Sequence, residues 1–262
     1  MVNLWNLIIL DPMLNGLVAL ASSLPEEIGV GLAIIILTII VRLVLLPLTL
    51  RQLSSTKSLQ GMQPKIQELQ KKYGRNKQKL QQEMAKIYKE AGVNPAGCIW
   101  PMLVQFPIWI ALYQSVIRTL ATAPENLLDL AQHLYSWEIV NSAIPLNSYF
   151  LGLDLGQQGS ASGIGGLILA ILVGGTMWVQ QKMTTAPSTD PKQRSQSSMM
   201  LLMMPLMFGM FALMFPCGLA LYWLISNVIG VITQYFIGGG WGYLSFSSTE
   251  QSMANQGIRK VR

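Results

Sequence analysis

Arg42 is the residue in this sequence whose position is hardest to satisfy. It lies inside an apolar run, residues 28–50, that carries no other charge. Eight residues short of the end of that run, its Cα sits roughly 12 Å below the surface at 1.5 Å per residue. A snorkelling side chain covers only part of that distance. An arginine in a helix centre costs about 2.5–3.5 kcal/mol on insertion scales, so it belongs in a water-filled cavity or beside a partner. The apolar runs of this chain contain no Asp or Glu. The expectation is therefore a permanent cation facing a hydrated cavity inside a membrane; a snorkelling arginine under a thinned leaflet is the alternative.

Other chemistry is poorly supplied. One histidine and two distant cysteines in 262 residues leave almost nothing for a transition-metal site and exclude a disulfide scaffold. His133 reads as a surface histidine with no nucleophile beside it, which argues against a hydrolase. No Gly-x-x-x-x-Gly-Lys motif suggests a nucleotide site. No cofactor, no metal and no catalytic residue is expected. Amides lie within the apolar runs and are candidate lining for a cavity around Arg42: Gln105, Gln180, Gln181, Ser226 with Asn227, and Gln234. Each is equally able to form an interhelical hydrogen bond.

The elements that must position these groups follow from composition. Apolar residues make up 51% of the chain and charged ones 11%, less than half the usual charged share of a soluble domain, about 25%. A bilayer core of about 30 Å requires roughly 20 apolar residues per helix. Five stretches qualify: 28–50, 98–119, 164–183, 199–215 and 217–237. The fold class is an all-α polytopic membrane protein, five spans around a hydrophilic groove. Residues 1–27 read as an amphipathic surface helix, with a sixth span as the alternative. Residues 120–163 read as a loop with a surface helix, 184–198 as a short loop and 238–262 as a tail. Pro47, Pro101, Pro107 and Pro205 should bend their helices. The fourth span covers only about 25 Å and has a methionine face, Met199, Met203, Met207, Met210 and Met214, suited to lipid contact, packing or varied apolar partners.

Charge orients the chain. Residues 51–97 hold ten Lys/Arg against three acids, whereas 1–27 and 120–163 hold no Lys or Arg and seven acids. The positive-inside rule puts the N-terminus outside and the C-terminus in the cytoplasm. Cys98 and Cys217 then start spans at opposite faces, too far apart to bridge. Within 51–97, Leu59, Met62, Ile66, Leu69 and Tyr73 form one helical stripe, Gly74–Asn76 a turn, and Leu80, Met84, Ile87, Tyr88 and Ala91 a second stripe. This is an antiparallel hairpin whose outer faces carry Lys65, Lys71, Lys72, Arg75, Lys77 and Lys79. Two readings stand: a docking arm for an incoming chain or a ribosome-associated partner, or a solvated hairpin that enforces topology and touches anionic lipid headgroups. Nothing suggests direct sequence-specific binding of nucleic acid.

Several motifs resemble those of the YidC membrane-protein insertases and their organellar relatives. They are Phe215-Pro216-Cys217-Gly218-Leu219-Ala220-Leu221-Tyr222-Trp223, Asn94-Pro95-Ala96-Gly97-Cys98-Ile99-Trp100-Pro101 with Gln105-Phe106-Pro107, Val41-Arg42 with Pro47, Gln180-Gln181-Lys182-Met183, and Phe150-Leu151-Gly152-Leu153-Asp154-Leu155-Gly156. The likeness covers about residues 4–240, with Cys98 one position earlier than the family pattern. It implies the compact five-span type, without the extra N-terminal span and large periplasmic domain of Gram-negative members. It further implies Arg42 as groove cation, Gln180 or Gln181 and Trp223 as groove lining, and the hairpin as a substrate-recruiting element. Nascent membrane proteins, the ribosome, the signal recognition particle and the Sec translocon are the implied partners. A small-solute transporter or channel is the rival class, but neither paired intramembrane charges nor an internal repeat is evident in the sequence.

Overall fold

A computed structural model of the chain describes residues 4–74, 76–90, 100–120, 130–137, 146–185, 191–238, 240–241 and 244. A π-helical turn, Asn6–Leu10, leads into α1 (Asp11–Ser22), followed by α2 (Gly29–Val44), α3 (Leu46–Tyr73), α4 (Lys77–Glu90) and α5 (Trp100–Thr119). Two short strands, β1 (Tyr149–Phe150) and β2 (Leu153–Asp154), precede α6 (Gly163–Thr184), α7 (Pro191–Met214) and α8 (Cys217–Gly238). The chain is mostly helical, the β1–β2 hairpin being the departure from an all-α fold. Arg75 and Cys98 lie outside the described residues, as does most of the tail.

Among the described residues, three stretches are long and apolar enough to cross a membrane: Gly163–Thr184, Ser195–Met214 and Cys217–Ile237. A fourth exists if Gly29–Val44 and Leu46–Thr56 are taken as one span broken by a 60° bend. The bend expected from Pro47 is found at Leu45, which divides residues 28–50 between α2 and α3. Leu45 ends α2, and Pro47 falls in the first turn of α3, where its missing N–H and fixed φ suit a helix start. Arg42 is two residues from the end of α2, at an elbow, and the depth of a straight helix does not apply to it. The α5 helix has spanning length, 20 residues, but Gln105, Gln114, Ser115 and Arg118 dilute its apolar character. The fourth expected span is longer than its apolar core, because Pro191 starts a helix that runs 24 residues to Met214.

The α1 helix packs on α2 and α5 through Leu14, Leu17, Val18 and Ala21. Its Asn15 is fully buried and satisfied: Nδ2 donates to the carbonyls of Asp11 and His133, and Oδ1 accepts from the Tyr135 N–H, each near 2.8 Å. His133 is accordingly no free surface histidine. Its Nδ1 lies 2.7 Å from Asp11 Oδ1, and only 12% of its side chain is exposed. Asn15 and Asp11 together tie the 130–137 segment to α1.

At the same end of the bundle, the segment after β2 closes the break between α7 and α8. Pro216 interrupts the helix because it lacks an N–H. The N–H groups of Cys217 and Gly218, orphaned at the start of α8, donate to the carbonyls of Gln157 and Leu155; the last carbonyls of α7, Leu213 and Phe215, accept from Ser160 and Gly159. The hairpin itself is seated by Phe150, whose ring lies against Gly31 where no side chain fits. We expect Gly31→Ala to unseat that ring and cost about 1–3 kcal/mol. Gly175→Ala, where an added methyl meets nothing, should stay within about 0.5 kcal/mol of the parent. Thermal unfolding in detergent checks both.

Candidate functional site

A cavity of about 750 Å³ opens among α2, α3, α6 and α8, with Gln105 of α5 and Met204 of α7 at its margins. The elbow at Leu45 builds it. By turning 60°, α3 lays Leu46, Thr49, Gln52, Leu53 and Thr56 along one side of the space that Arg42 faces. The opposite wall comes from Met177, Gln180, Gln181 and Thr184 of α6, and from Ile229 to Ile237 of α8. Among the described residues the polar inventory is one guanidinium, five glutamines (Gln52, Gln105, Gln180, Gln181, Gln234) and four threonines (Thr49, Thr56, Thr184, Thr233), with no carboxylate.

Hydrogen bonding around the cavity is incomplete. Gln105 Nε2 donates to the Tyr222 hydroxyl at 2.6 Å. Gln181 Nε2 reaches only Met204 Sδ, at 3.6 Å, a weak acceptor. Arg42 Nε, Gln181 Oε1 and Gln234 Oε1 are buried without any protein partner, and Arg42 forms no ion pair among the described residues. A buried polar atom left unsatisfied costs about 1–3 kcal/mol. Several such atoms around one polar, roomy space call for water or an entering polar chain as partner.

Of the groove residues expected from the sequence, Arg42, Gln105, Gln180, Gln181 and Gln234 come together here. Trp223, Asn227 and Ser226 are not part of the lining. Trp223 is 6% exposed and stacks on Trp109 at 6.0 Å between ring centroids, with Phe208 and Phe215 edge-on at 5.3 and 6.0 Å. This aromatic cluster lies outside the cavity lining, toward the end of the bundle where α8 begins. Asn227 donates to the Val173 carbonyl and to Thr176 Oγ1, both at 3.3 Å, and so joins α8 to α6. Conversely, Thr49, Gln52 and Thr56 were missed: Thr49 sits at the very end of the expected span, and the chain beyond Leu50 reads as outside the membrane. Their spacing of 3 and 4 was the available signal.

The hairpin forms from α3 and α4, with Met62 and Ile66 buried in its seam. Lys65, Lys71, Lys72 and Lys79 are exposed; Lys77 lies on α4, its side chain outside the description. At the tip, Lys72 and Lys79 each place Nζ 5.3 Å from the Tyr73 ring centroid. The Lys86–Glu83 contact, 2.8 Å, is an exposed i,i+3 pair, a kind that adds little stability. One helix, α3, therefore carries both the cavity wall and the basic arm.

The family model described as 60Kd inner membrane protein matches residues 24–240. The chain is 37% identical over 243 residues to Membrane protein insertase YidC of Oceanobacillus iheyensis, covering 89% of this chain and 83% of that relative. It is 37% identical over 214 residues to Membrane protein insertase YidC 2 of Bacillus anthracis, with 80% and 72% covered. To Membrane protein insertase MisCA of Bacillus subtilis it is 35% identical over 240 residues, with 90% and 79% covered.

Tyr222→Phe removes the acceptor of the Gln105 amide, and we expect a loss of about 0.5–1.5 kcal/mol. In a double-mutant cycle with Gln105→Leu, most of that loss should vanish; additive effects would mean that the two residues do not act as a pair.

Proposed function

This chain belongs to the 60Kd inner membrane protein family of YidC insertases, and on that premise we propose that the cavity beside Arg42 is a hydrated groove for polar segments in transit. The protein is a membrane-protein insertase of the bacterial plasma membrane, and it is not an enzyme. Nascent membrane proteins are its substrates. We read the chain as five spans, with α5 the second and the bent α2–α3 pair the first, the N-terminus outside and the C-terminus in the cytoplasm. The charge asymmetry between 51–97 and the Lys/Arg-free segments 1–27 and 120–163 supports that orientation.

Energetics places the difficulty in the tail rather than the helix. Twenty Leu, Ile, Phe or Val residues favour the membrane by roughly 6–12 kcal/mol, so insertion of an apolar helix needs no fuel. The flanking polar tail must still cross hydrocarbon, where each charged residue costs several kcal/mol. A wet groove shortens the dry path. Arg42 attracts acidic residues of the tail and stabilises them midway, and the far surface offers no Lys or Arg to hold them afterwards. The observation that carries this reading is the set of buried Arg42, Gln181 and Gln234 atoms that no protein group satisfies. The basic hairpin, continuous with the groove wall through α3, is the receiving arm. Ribosome, signal recognition particle, Sec translocon and anionic lipid are the partners its charge would suit.

Two experiments test the proposal. Arg42→Cys in proteoliposomes should react with a membrane-impermeant thiol reagent roughly tenfold faster than Ile171→Cys, which projects from the bundle; equal, slow labelling would mean a dry site. Insertion of a single-span client with a short acidic N-terminal tail should fall roughly tenfold or more in Arg42→Glu, tenfold being about 1.4 kcal/mol. Arg42→Lys should retain most activity. Full activity of Arg42→Glu would reject the groove mechanism.

A further inference from the structure

At the end of the bundle away from the cavity, the β1–β2 hairpin makes a choice that folding alone does not favour. Tyr149 pairs with Asp154 and Phe150 with Leu153, leaving a two-residue loop, Leu151-Gly152. Both loop residues have positive φ, +51° and +81°, the pattern of a type I′ turn, in which Asn-Gly, Asp-Gly and Gly-Gly are preferred. Leucine is unfavourable at the first of these positions, since a bulky side chain at positive φ is strained. It is also 81% exposed. Asparagine would relieve both disadvantages, so the leucine points to something outside the folded chain.

The tip is held firmly. Phe150 is seated on Gly31, the Leu155 N–H donates to the Ser148 carbonyl, and side-chain oxygens of Asn147 and Asp154 cap the N–H groups of Tyr149 and Gly156. Its level is fixed as well. Gly31 is the third residue of α2, and Leu153 meets Gly165, the third residue of α6. The hairpin therefore stands level with the ends of two apolar helices. Beside it, α6 presents Ile164, Leu167, Ile168 and Ile171 outward in a continuous exposed apolar face.

We propose that this hairpin is an interfacial anchor, with Leu151 inserted among the acyl chains just beneath the lipid headgroups and the half-exposed Tyr149 ring lying at headgroup level. Lipid is the occupant because the patch continues the apolar face of a membrane-spanning helix. A tyrosine flanks it, as at membrane–water interfaces generally. Residues 146–163 contain no Lys or Arg, so apolar insertion rather than attraction to anionic headgroups does the anchoring. The inference is independent of the groove and requires only that α6 cross the bilayer.

The test uses the full chain in phosphatidylcholine–phosphatidylglycerol vesicles, with an environment-sensitive fluorophore on Leu151→Cys and the parent chain's own labelling subtracted. Emission should be blue-shifted and quenched at least twofold more by lipids bearing a shallow nitroxide than by lipids bearing a deep one. With iodide on both faces of the vesicle, quenching should be at least fivefold weaker than for a label on Gln157→Cys, an exposed site in the same segment. Equal iodide quenching at the two sites overturns the proposal. Protection that disappears as protein is diluted in lipid overturns it too, by assigning the tip to a second copy of the chain. Leu151→Asn separates anchoring from folding: its melting temperature in detergent should equal or exceed that of the parent, while a label on Tyr149→Cys becomes accessible to iodide in vesicles. A lower melting temperature would mean that Leu151 serves internal packing, and would likewise overturn it.

Discussion

A guanidinium at the elbow of a broken helix, with no carboxylate beside it among the described residues, is the constraint around which this bundle is arranged. An ion of fixed charge in low dielectric must be paired or hydrated, and the groups facing Arg42 are neutral amides and hydroxyls. Five glutamines and four threonines can orient dipoles toward a cation or toward water. None can neutralise the charge. The site therefore keeps a standing positive potential while remaining able to exchange one polar neighbour for another, which a salt-bridged arginine could not do without first breaking its pair.

The bend at Leu45 makes that arrangement possible. A straight first span would carry Thr49, Gln52 and Thr56 directly away from Arg42. Turned by 60°, the same residues become a wall. Because α3 continues unbroken to Tyr73, the wall and the basic arm share one helical axis. The other end of the bundle is treated oppositely. Backbone groups of residues 155–160 satisfy the helix ends around Pro216, and the rings of Trp109, Phe208, Phe215 and Trp223 fill the space behind them. One end is lined with amides and hydroxyls around a cavity; the other is closed by backbone hydrogen bonds and aromatic packing, although the Trp109 indole N–H there has no partner among the described residues.

Much of this was legible from residue type and spacing. The apolar runs of α6, α7 and α8 and the two stripes of the hairpin declared themselves through length and period. Arg42 with Gln105, Gln180 and Gln181 declared a cavity through the cost of burying them. What stayed hidden was set by tertiary context. The kink at Leu45 depends on how α3 packs rather than on Pro47 alone, since a proline in a first turn is compatible with either path. Trp223 and Asn227 lie on α8 like the cavity residues, and only the neighbouring helices decide which face they occupy. The Asp11–His133 contact joins positions 122 residues apart, beyond any local pattern.

The aromatic cluster beyond the cavity has an electrical consequence. On the proposed reading of the cavity as a water-filled groove, the membrane voltage would drop mainly across the packed rings and helix ends rather than across the full hydrocarbon thickness of about 30 Å. A voltage of 100 mV is worth about 2.3 kcal/mol per elementary charge. Compressed into a thinner slab, the same voltage gives a steeper field. On the same reading, with the groove open to a negative cell interior, an anionic segment beside Arg42 would have most of that electrical work still ahead of it, concentrated in the last few residues of its passage.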